Sequence, residues 1–324
     1  MGGYLSGSQK SLDCQPVMNQ THKVKFIINP NADHGKAWRI AADLRPIITE
    51  NGGADWAGSV YPTHTVELTR QAVEEGYSLI LAGGGDGTVH EVINGVMAFP
   101  PEQRPRIGVI PLGSGNDFAH ALGMADEPWQ ALKQIYRGTA KPVDVGRIKD
   151  DLGREEYWIN TVGIGFDAVV TIYSHQLPLV RGFLMYFAAV MKTIFLNHDP
   201  MEITLRWGEE GSWKHPLSML TLCNGPREGG GFMISPGSKI DDACLDYVAV
   251  HQVPRWLMLR LIPEFMRGTH LRFAPIQHGT FQHLELESNR PLNIHLDGEI
   301  FAGFSSKLRS LEVDLFPGAV QFVS

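Results

Sequence analysis

Leu79-Ile80-Leu81-Ala82-Gly83-Gly84-Gly85-Asp86-Gly87-Thr88-Val89-His90-Glu91-Val92-Ile93-Asn94-Gly95-Val96 is the stretch on which the fold turns. An apolar run of strand length enters a glycine cluster holding one acid, and a helix-like pattern leaves it. Glycine permits positive φ and close backbone approach. Exposed amides and the following helix N-terminus suit phosphate oxygens. Asp86 would repel a bare phosphate, so its useful work there is to hold Mg²⁺ or order water around it. The expected ligand is a magnesium-bound polyphosphate. No Gly-Lys-Ser/Thr follows, which excludes a P-loop, and the spacing misses the G-x-G-x-x-G dinucleotide pattern. Four glycines and an acid also exceed what a plain strand-to-helix turn requires.

Outward from that stretch, Val24-Lys25-Phe26-Ile27-Ile28 reads as a first strand ending at Asn29-Pro30-Asn31-Ala32. Residues 37–48 carry helical periodicity broken at Pro46, residues 58–61 a weak strand and residues 66–75 a helix. A strand over 106–110 ends in Pro111-Leu112-Gly113-Ser114-Gly115-Asn116-Asp117-Phe118, with another helix from Ala119. Strands alternating with helices imply an open, mainly parallel α/β sheet. Ligands of such sheets sit beyond the carboxyl ends of strands, where all three polar loops fall. After Pro142 the texture becomes mostly β, with strands read at 143–147, 157–162, 201–207, 218–223, 245–250, 284–287 and 292–296. The expected organisation is a disordered tail over 1–22, an α/β nucleotide-binding domain over 23–143 and a β-rich substrate domain over 144–324. The last strand is free to return to the first domain.

A chain of 324 residues is comfortable for two domains. The net charge of −7 argues against nucleic-acid binding through a global basic field. Cys14, Cys223 and Cys244 have neither disulfide-framework nor zinc spacing and suit a reducing cytosol. The N-terminus lacks an apolar h-region and does not read as a signal peptide. Residues 183–196 are apolar but too short to span a bilayer and are interrupted by Lys192, so a buried or interfacial helix is expected. The apolar helix containing Trp256 and Met266 is assigned to core packing ahead of membrane docking. His270, His278, His283 and His295 lack metal-ligand spacing and read as ordinary residues. No Gly-x-Ser-x-Gly elbow is present.

Asn116-Asp117 after glycine is ordinary helix-capping chemistry taken alone. Its position one β-α unit after the first loop favours a shared functional role. Together, Gly84-Gly85-Asp86-Gly87-Thr88 and Pro111-Leu112-Gly113-Ser114-Gly115-Asn116-Asp117-Phe118-Ala119 resemble the diacylglycerol kinase catalytic family, which includes sphingosine and ceramide kinases and soluble bacterial lipid kinases. Asn29-Pro30-Asn31-Ala32-Asp33-His34-Gly35 resembles that family's first nucleotide-contacting loop. Cys223-Asn224-Gly225 with Gly229-Gly230-Gly231, then the segment from Pro236 to Asp246, and Leu296-Asp297-Gly298-Glu299 follow its later signatures in order. The resemblance covers most of the chain after the tail.

That resemblance implies an ATP- and Mg²⁺-dependent lipid kinase with the fold of NAD kinase and diacylglycerol kinase: an α/β domain, a β-sandwich and ATP in the cleft between them. Its nucleotide-binding positions match Asn29, Pro30, Asn31, Gly84, Gly85, Gly87, Thr88, Glu91, Ser114 and Asn116. Asp86, Asp117 and Asp144 match the acidic network around Mg²⁺ and nucleotide. A nucleotide-facing hydroxyl is also expected, at Ser59 or Thr63. Asp297-Gly298-Glu299 matches the catalytic carboxylates, with Glu299 preferred over Asp297 as proton acceptor. An alcohol attacking a γ-phosphate benefits from such a base while metal and amides hold the developing charge. A structural magnesium loop matches Asp242 with the carbonyls of Lys239 and Cys244. The implied partners are a lipid, most simply diacylglycerol, and a peripheral membrane surface reached from the cytoplasm, with homodimerisation open.

Three positions depart from the family pattern. His90 stands where asparagine is common, near enough to the phosphate loop to alter nucleotide contacts, though it reads first as a solvent-facing helix residue. Ser114 replaces threonine and keeps the hydroxyl. Ala243 replaces glycine in a loop that needs positive φ, which weakens the magnesium-loop assignment. NAD kinase, which shares Gly-Gly-Asp-Gly, is the enzymatic rival, and a noncatalytic nucleotide- or lipid-binding regulator is the rival of another class.

Overall fold

Strands β1 (Val24–Ile28), β2 (Asp55–Gly58), β3 (Leu79–Gly84) and β4 (Arg106–Pro111) form a parallel sheet in the order β2-β1-β3-β4. All six residues of β3 are buried, as a central strand covered on both faces requires. The computed structural model describes residues 23–176, 182–197, 200–207 and 211–324; the tail expected over residues 1–22 lies outside them. Helices α1 (Ala32–Gly35), α2 (Ala37–Asp43) and α3 (Arg45–Glu50) follow β1, and α4 (His64–Glu74) follows β2. Helix α5 (Asp86–Val96) follows β3, and α6 (Asp117–Ala121) and α7 (Pro128–Arg137) follow β4. The break expected at Pro46 falls just before it, at Leu44 between α2 and α3. Pro46 itself falls in the first turn of α3, where its missing N–H has no intrahelical role. The strand expected at 58–61 lies earlier, with Trp56 opposite Phe26, because Val60–Pro62 already turn toward α4.

The β-rich region comprises β5 (Ala140–Asp150), β6 (Glu155–Trp158), β7 (Thr161–Gly165), β8 (Met201–Arg206), β9 (Ser212–Cys223), the short β10 (Arg227–Glu228) and β11 (Phe232–Met233), β12 (Leu245–His251), β13 (Ile276–Phe281), β14 (His283–Ser288), β15 (Ile294–Leu296), β16 (Glu299–Ala302) and β17 (Ser310–Val323). Helices α8 (Phe166–His175), α9 (Gly182–Leu196) and α10 (Arg255–Arg267) pack against it. Leu205, Leu217, Leu284 and Leu296 belong to its main core, and a further core lies beneath these helices. No helix among the described residues is long and apolar enough to cross a membrane.

The single strand expected over residues 157–162 is divided. Between β6 and β7 the amides of Ile159, Asn160 and Thr161 turn to the carboxylate of Asp297. Two strands join the regions. β5 runs unbroken through residues 143 and 144, where the sequence changes texture. β17 pairs antiparallel with β14 and β5, bulges between Phe316 and Val320, then sets Gln321 and Phe322 parallel to Arg106 and Ile107 of β4.

Candidate active site

Parallel pairing of β3 with β4 delivers the two glycine loops side by side, with Gly84 opposite Pro111 and Leu112 N–H donating to Gly84 O at 2.9 Å. A Cβ on Gly85 would lie 3.2 Å from the Cα of Gly113. The loops therefore touch backbone to backbone. None of these glycines has positive φ, so close approach rather than left-handed geometry is what requires them here.

Asp86 ties the loops together. Its carboxylate accepts the N–H groups of Asp117 at 3.2 Å and Phe118 at 2.9 Å, covering the first amides of α6. Burial, and then the charge of Asp117, push its pKa upward from the usual carboxylate range. Asp117 accepts Arg227 Nε at 2.6 Å and the Gly230 amide at 2.9 Å. Arg227 thus fastens β10 to the second loop, a role that its position in the sequence between Cys223-Asn224-Gly225 and Gly229-Gly230-Gly231 does not signal. Asn29 accepts the Asn31 amide at 3.0 Å, and Glu91 accepts the amides of Thr63 and Thr65, each at 3.0 Å.

Asp297 and Glu299 have different surroundings. Asp297 takes left-handed backbone (φ 51°) and is buried, accepting the amides of Ile159, Asn160 and Thr161. Its Oδ2 also lies 2.9 Å from His90 Nδ1, while His90 Nε2 lies 2.9 Å from Glu156. His90 is therefore not a solvent-facing residue. It is 4 % exposed and fastens α5 to β6 and to the Asp297 turn. Burial disfavours its charge, but the hydrogen bonds and charges of Asp297 and Glu156 win and raise its pKa to about 10. Glu299 is exposed, and its carboxylate lies against Gly87, where any Cβ would collide with it.

These elements enclose a cleft of about 310 Å³. Of the residues expected there, it is lined by Asn29, Gly85, Asp86, Gly87, Thr88, Glu91, Ser114, Asp117, Asp297 and Glu299. Pro30, Asn31, Gly84, Asn116 and Asp144 are not in its lining. Asn116 closes the second loop through both polar atoms of its amide, held to Gly113 N and O. Asp144 accepts the amides of Ala243 and Gly318, both at 2.7 Å, because it lies where β5 meets the bulge of β17. Ser59 and Thr63 are also outside the cleft lining. Lys239 and Asp242 are exposed, and Asp242 accepts the Cys244 amide at 3.2 Å. Ala243 does adopt the positive φ, 59°, that favours glycine. Asp242 belongs to neither cluster of metal-type side chains found among the described residues.

One of those clusters was not foreseen. Asp167 of α8, Glu228 of β10 and His295 of β15 are buried together, with Tyr186 of α9 bonded to both acids at 3.1 and 3.0 Å. His295 is thus no ordinary core histidine. Burial opposes charge on Asp167, but His295, Thr221 and Tyr186 hold it below the usual carboxylate range. Burial and the charge of Asp167 push Glu228 upward. Glu228 and Tyr186 line the cleft, and Asp167 and Tyr186 line an apolar slot of about 50 Å³ walled by Val190 and Ile194 of α9 and by Met258, Leu261 and Phe265 of α10. Polar cleft and apolar slot share a wall.

Residues 23–148 match the diacylglycerol kinase catalytic domain, and residues 160–324 match the YegS C-terminal, NAD kinase β-sandwich-like domain. The chain belongs to the diacylglycerol kinase catalytic-domain family. This lipid kinase is 34% identical to a probable lipid kinase YegS-like protein of Chromohalobacter salexigens, over 79% of this chain and 78% of that one. It is 29% identical to a diacylglycerol kinase of Bacillus subtilis, over 71% and 74% of the two chains. Its fold is similar to the crystal structure of a diacylglycerol kinase from Bacillus anthracis, with a TM-score of 0.71, 20% identity, and coverage of 93% of this chain and 96% of that one.

Proposed function

We propose that this lipid kinase transfers the γ-phosphate of Mg²⁺-bound ATP to the free hydroxyl of diacylglycerol, giving phosphatidic acid. The observation that carries the reading is Glu299: an exposed carboxylate without a hydrogen-bond partner among the described residues, lying across Gly87 at the start of α5. It stands beside the amides that suit a terminal phosphate. The donor set around the cleft, Asp86, Asp117 and Glu299, consists of hard carboxylate oxygens and fits Mg²⁺. When bound, Mg²⁺ would neutralise charge on the triphosphate.

The chain's own residues do the rest. Gly85, Gly87 and Gly113 bring backbone close to the phosphates, and Asp86 keeps the two loops in register. Glu299 accepts the proton that the lipid hydroxyl loses as its oxygen attacks phosphorus. Asp297, saturated by amides and His90, acts as a positioning residue that aims the turn. The apolar slot beside Tyr186 suits the start of an acyl chain and has no counterpart in the needs of a dinucleotide acceptor, which favours lipid over NAD. The name of the Bacillus subtilis relative supports diacylglycerol among lipids.

Radiolabelled γ-phosphate transfer tests this, with diacylglycerol, a sphingoid base and NAD offered separately and products identified by mass. Labelled phosphatidic acid is expected. Turnover of NAD alone, or of the sphingoid base in preference to diacylglycerol, overturns the assignment.

A further inference from the structure

Helix α10 presents an unusual face to solvent. At helical spacing Trp256, Arg260, Pro263 and Arg267 share one line, flanked by Arg255, Leu259 and Met266, while Met258, Leu261 and Glu264 are buried. The outer arc thus consists of arginines and apolar side chains, with no acid and no neutral polar residue. Water-facing helix surfaces are ordinarily polar. Here Trp256 is 68% exposed and Met266 is 41% exposed. Arg255 Nε donates to the Ile194 carbonyl at 3.0 Å, which brings the end of α9 alongside, where Phe195 and Leu196 are also exposed.

The charge of this face runs against that of the molecule. The chain carries −7 overall, yet the single acid of α10, Glu264, is buried and bound to Arg260, Arg272 and Thr269. One carboxylate therefore faces two arginines, and Arg255 and Arg267 add to the excess of positive charge. An arginine-rich helix with tryptophan on its exposed side suits the plane of a bilayer interface, its apolar groups among acyl chains and its guanidinium groups among phosphates. A protein partner of opposite charge would not need Trp256, Met266, Phe195 and Leu196 together.

The geometry points to the outer face of α10, with the end of α9, as a docking surface for an anionic lipid bilayer. The inference rests on the lipid-kinase reading, because α9 and α10 also wall the apolar slot, so docking sets that slot beside the leaflet that supplies the substrate.

Sedimentation with vesicles of phosphatidylcholine alone and of phosphatidylcholine with 30 % phosphatidylserine, a composition on the order of a strongly anionic leaflet, tests the surface without ATP or diacylglycerol. The wild-type chain should bind the anionic vesicles and lose them as salt rises. Arg260→Gln with Arg267→Gln should weaken binding by about fivefold per arginine. Trp256→Ser with Met266→Ser should weaken it by about tenfold or more. Both pairs should phosphorylate short-chain diacylglycerol in detergent micelles at the wild-type rate, which also reports that they fold. Equal binding to both vesicle types, or variants that bind like wild type, overturns the proposal. So does a dimer in lipid-free solution that Trp256→Ser dissociates, which would assign the face to a second copy. Vesicle binding without phosphorylation of any lipid would instead sink the kinase substrate reading and leave the surface standing.

Discussion

Two carboxylates separated by one glycine behave oppositely because their solvation differs. Asp297 is enclosed and bonded to three amides and an imidazole, so its charge is consumed in holding the backbone. Glu299 faces the cleft and has no hydrogen-bond partner among the described residues, as the proposed base requires. Glu299→Gln should lower kcat by roughly 10²–10⁴-fold, the usual worth of a positioned base, with KM for ATP little changed. Its stability should shift by no more than about 0.5 kcal/mol, as for an exposed side chain. Asp297→Ala should instead cost stability, about 3–5 kcal/mol, because the buried amides of Ile159, Asn160 and Thr161 would lose their acceptor and His90 would keep Glu156 as its only acid. Steady-state kinetics and denaturant melts of the two variants separate these outcomes; a Glu299→Gln enzyme with wild-type kcat removes the base from the mechanism.

At the scale of elements, His90 is the fastener between α5 and the β-rich region. A histidine whose folded pKa is raised from 6.5 to about 10 stabilises fully below about pH 6.5, and that contribution is lost as pH rises through about 10. His295 is raised to about 10 as well, so the wild type carries two such contributions and His90→Gln only one. The wild-type melting temperature should fall more steeply than that of His90→Gln between pH 7 and 10; parallel profiles would deny His90 its charge. The element order of the α/β region was legible because glycine loops and periodicity are local signals. So were the residues of the two loops, including Gly85, Asp86 and Asp117. His90 was not legible: its partners are 66 and 207 residues away in sequence, and helical spacing alone leaves it facing water. The break at Ile159 and Asn160 was hidden for the same reason, since the carboxylate that takes their amides arrives from β15–β16. The return of the last strand to the first domain was open in the sequence, and β17 makes it beside β4; the extent of β17 was not legible, because Pro317-Gly318 interrupts its pattern and forms a bulge whose amide meets Asp144.

The whole molecule owes its cleft to contacts between regions that each supply part of its walls: the two glycine loops on one side, Glu299 and Tyr186 on the other. Arg227 and His90 each cross that boundary. Together with β5 and β17 they leave little freedom for the halves to move apart. Fluorescent labels at exposed sites of α7 and α10 should report the same separation with and without ATP; a large nucleotide-dependent change would contradict this. The long ribbon of β5 and β17 acts as a spine common to both halves, and a shared spine has no hinge. Substrates should then come and go by small excursions of the rim, without a jaw swinging open.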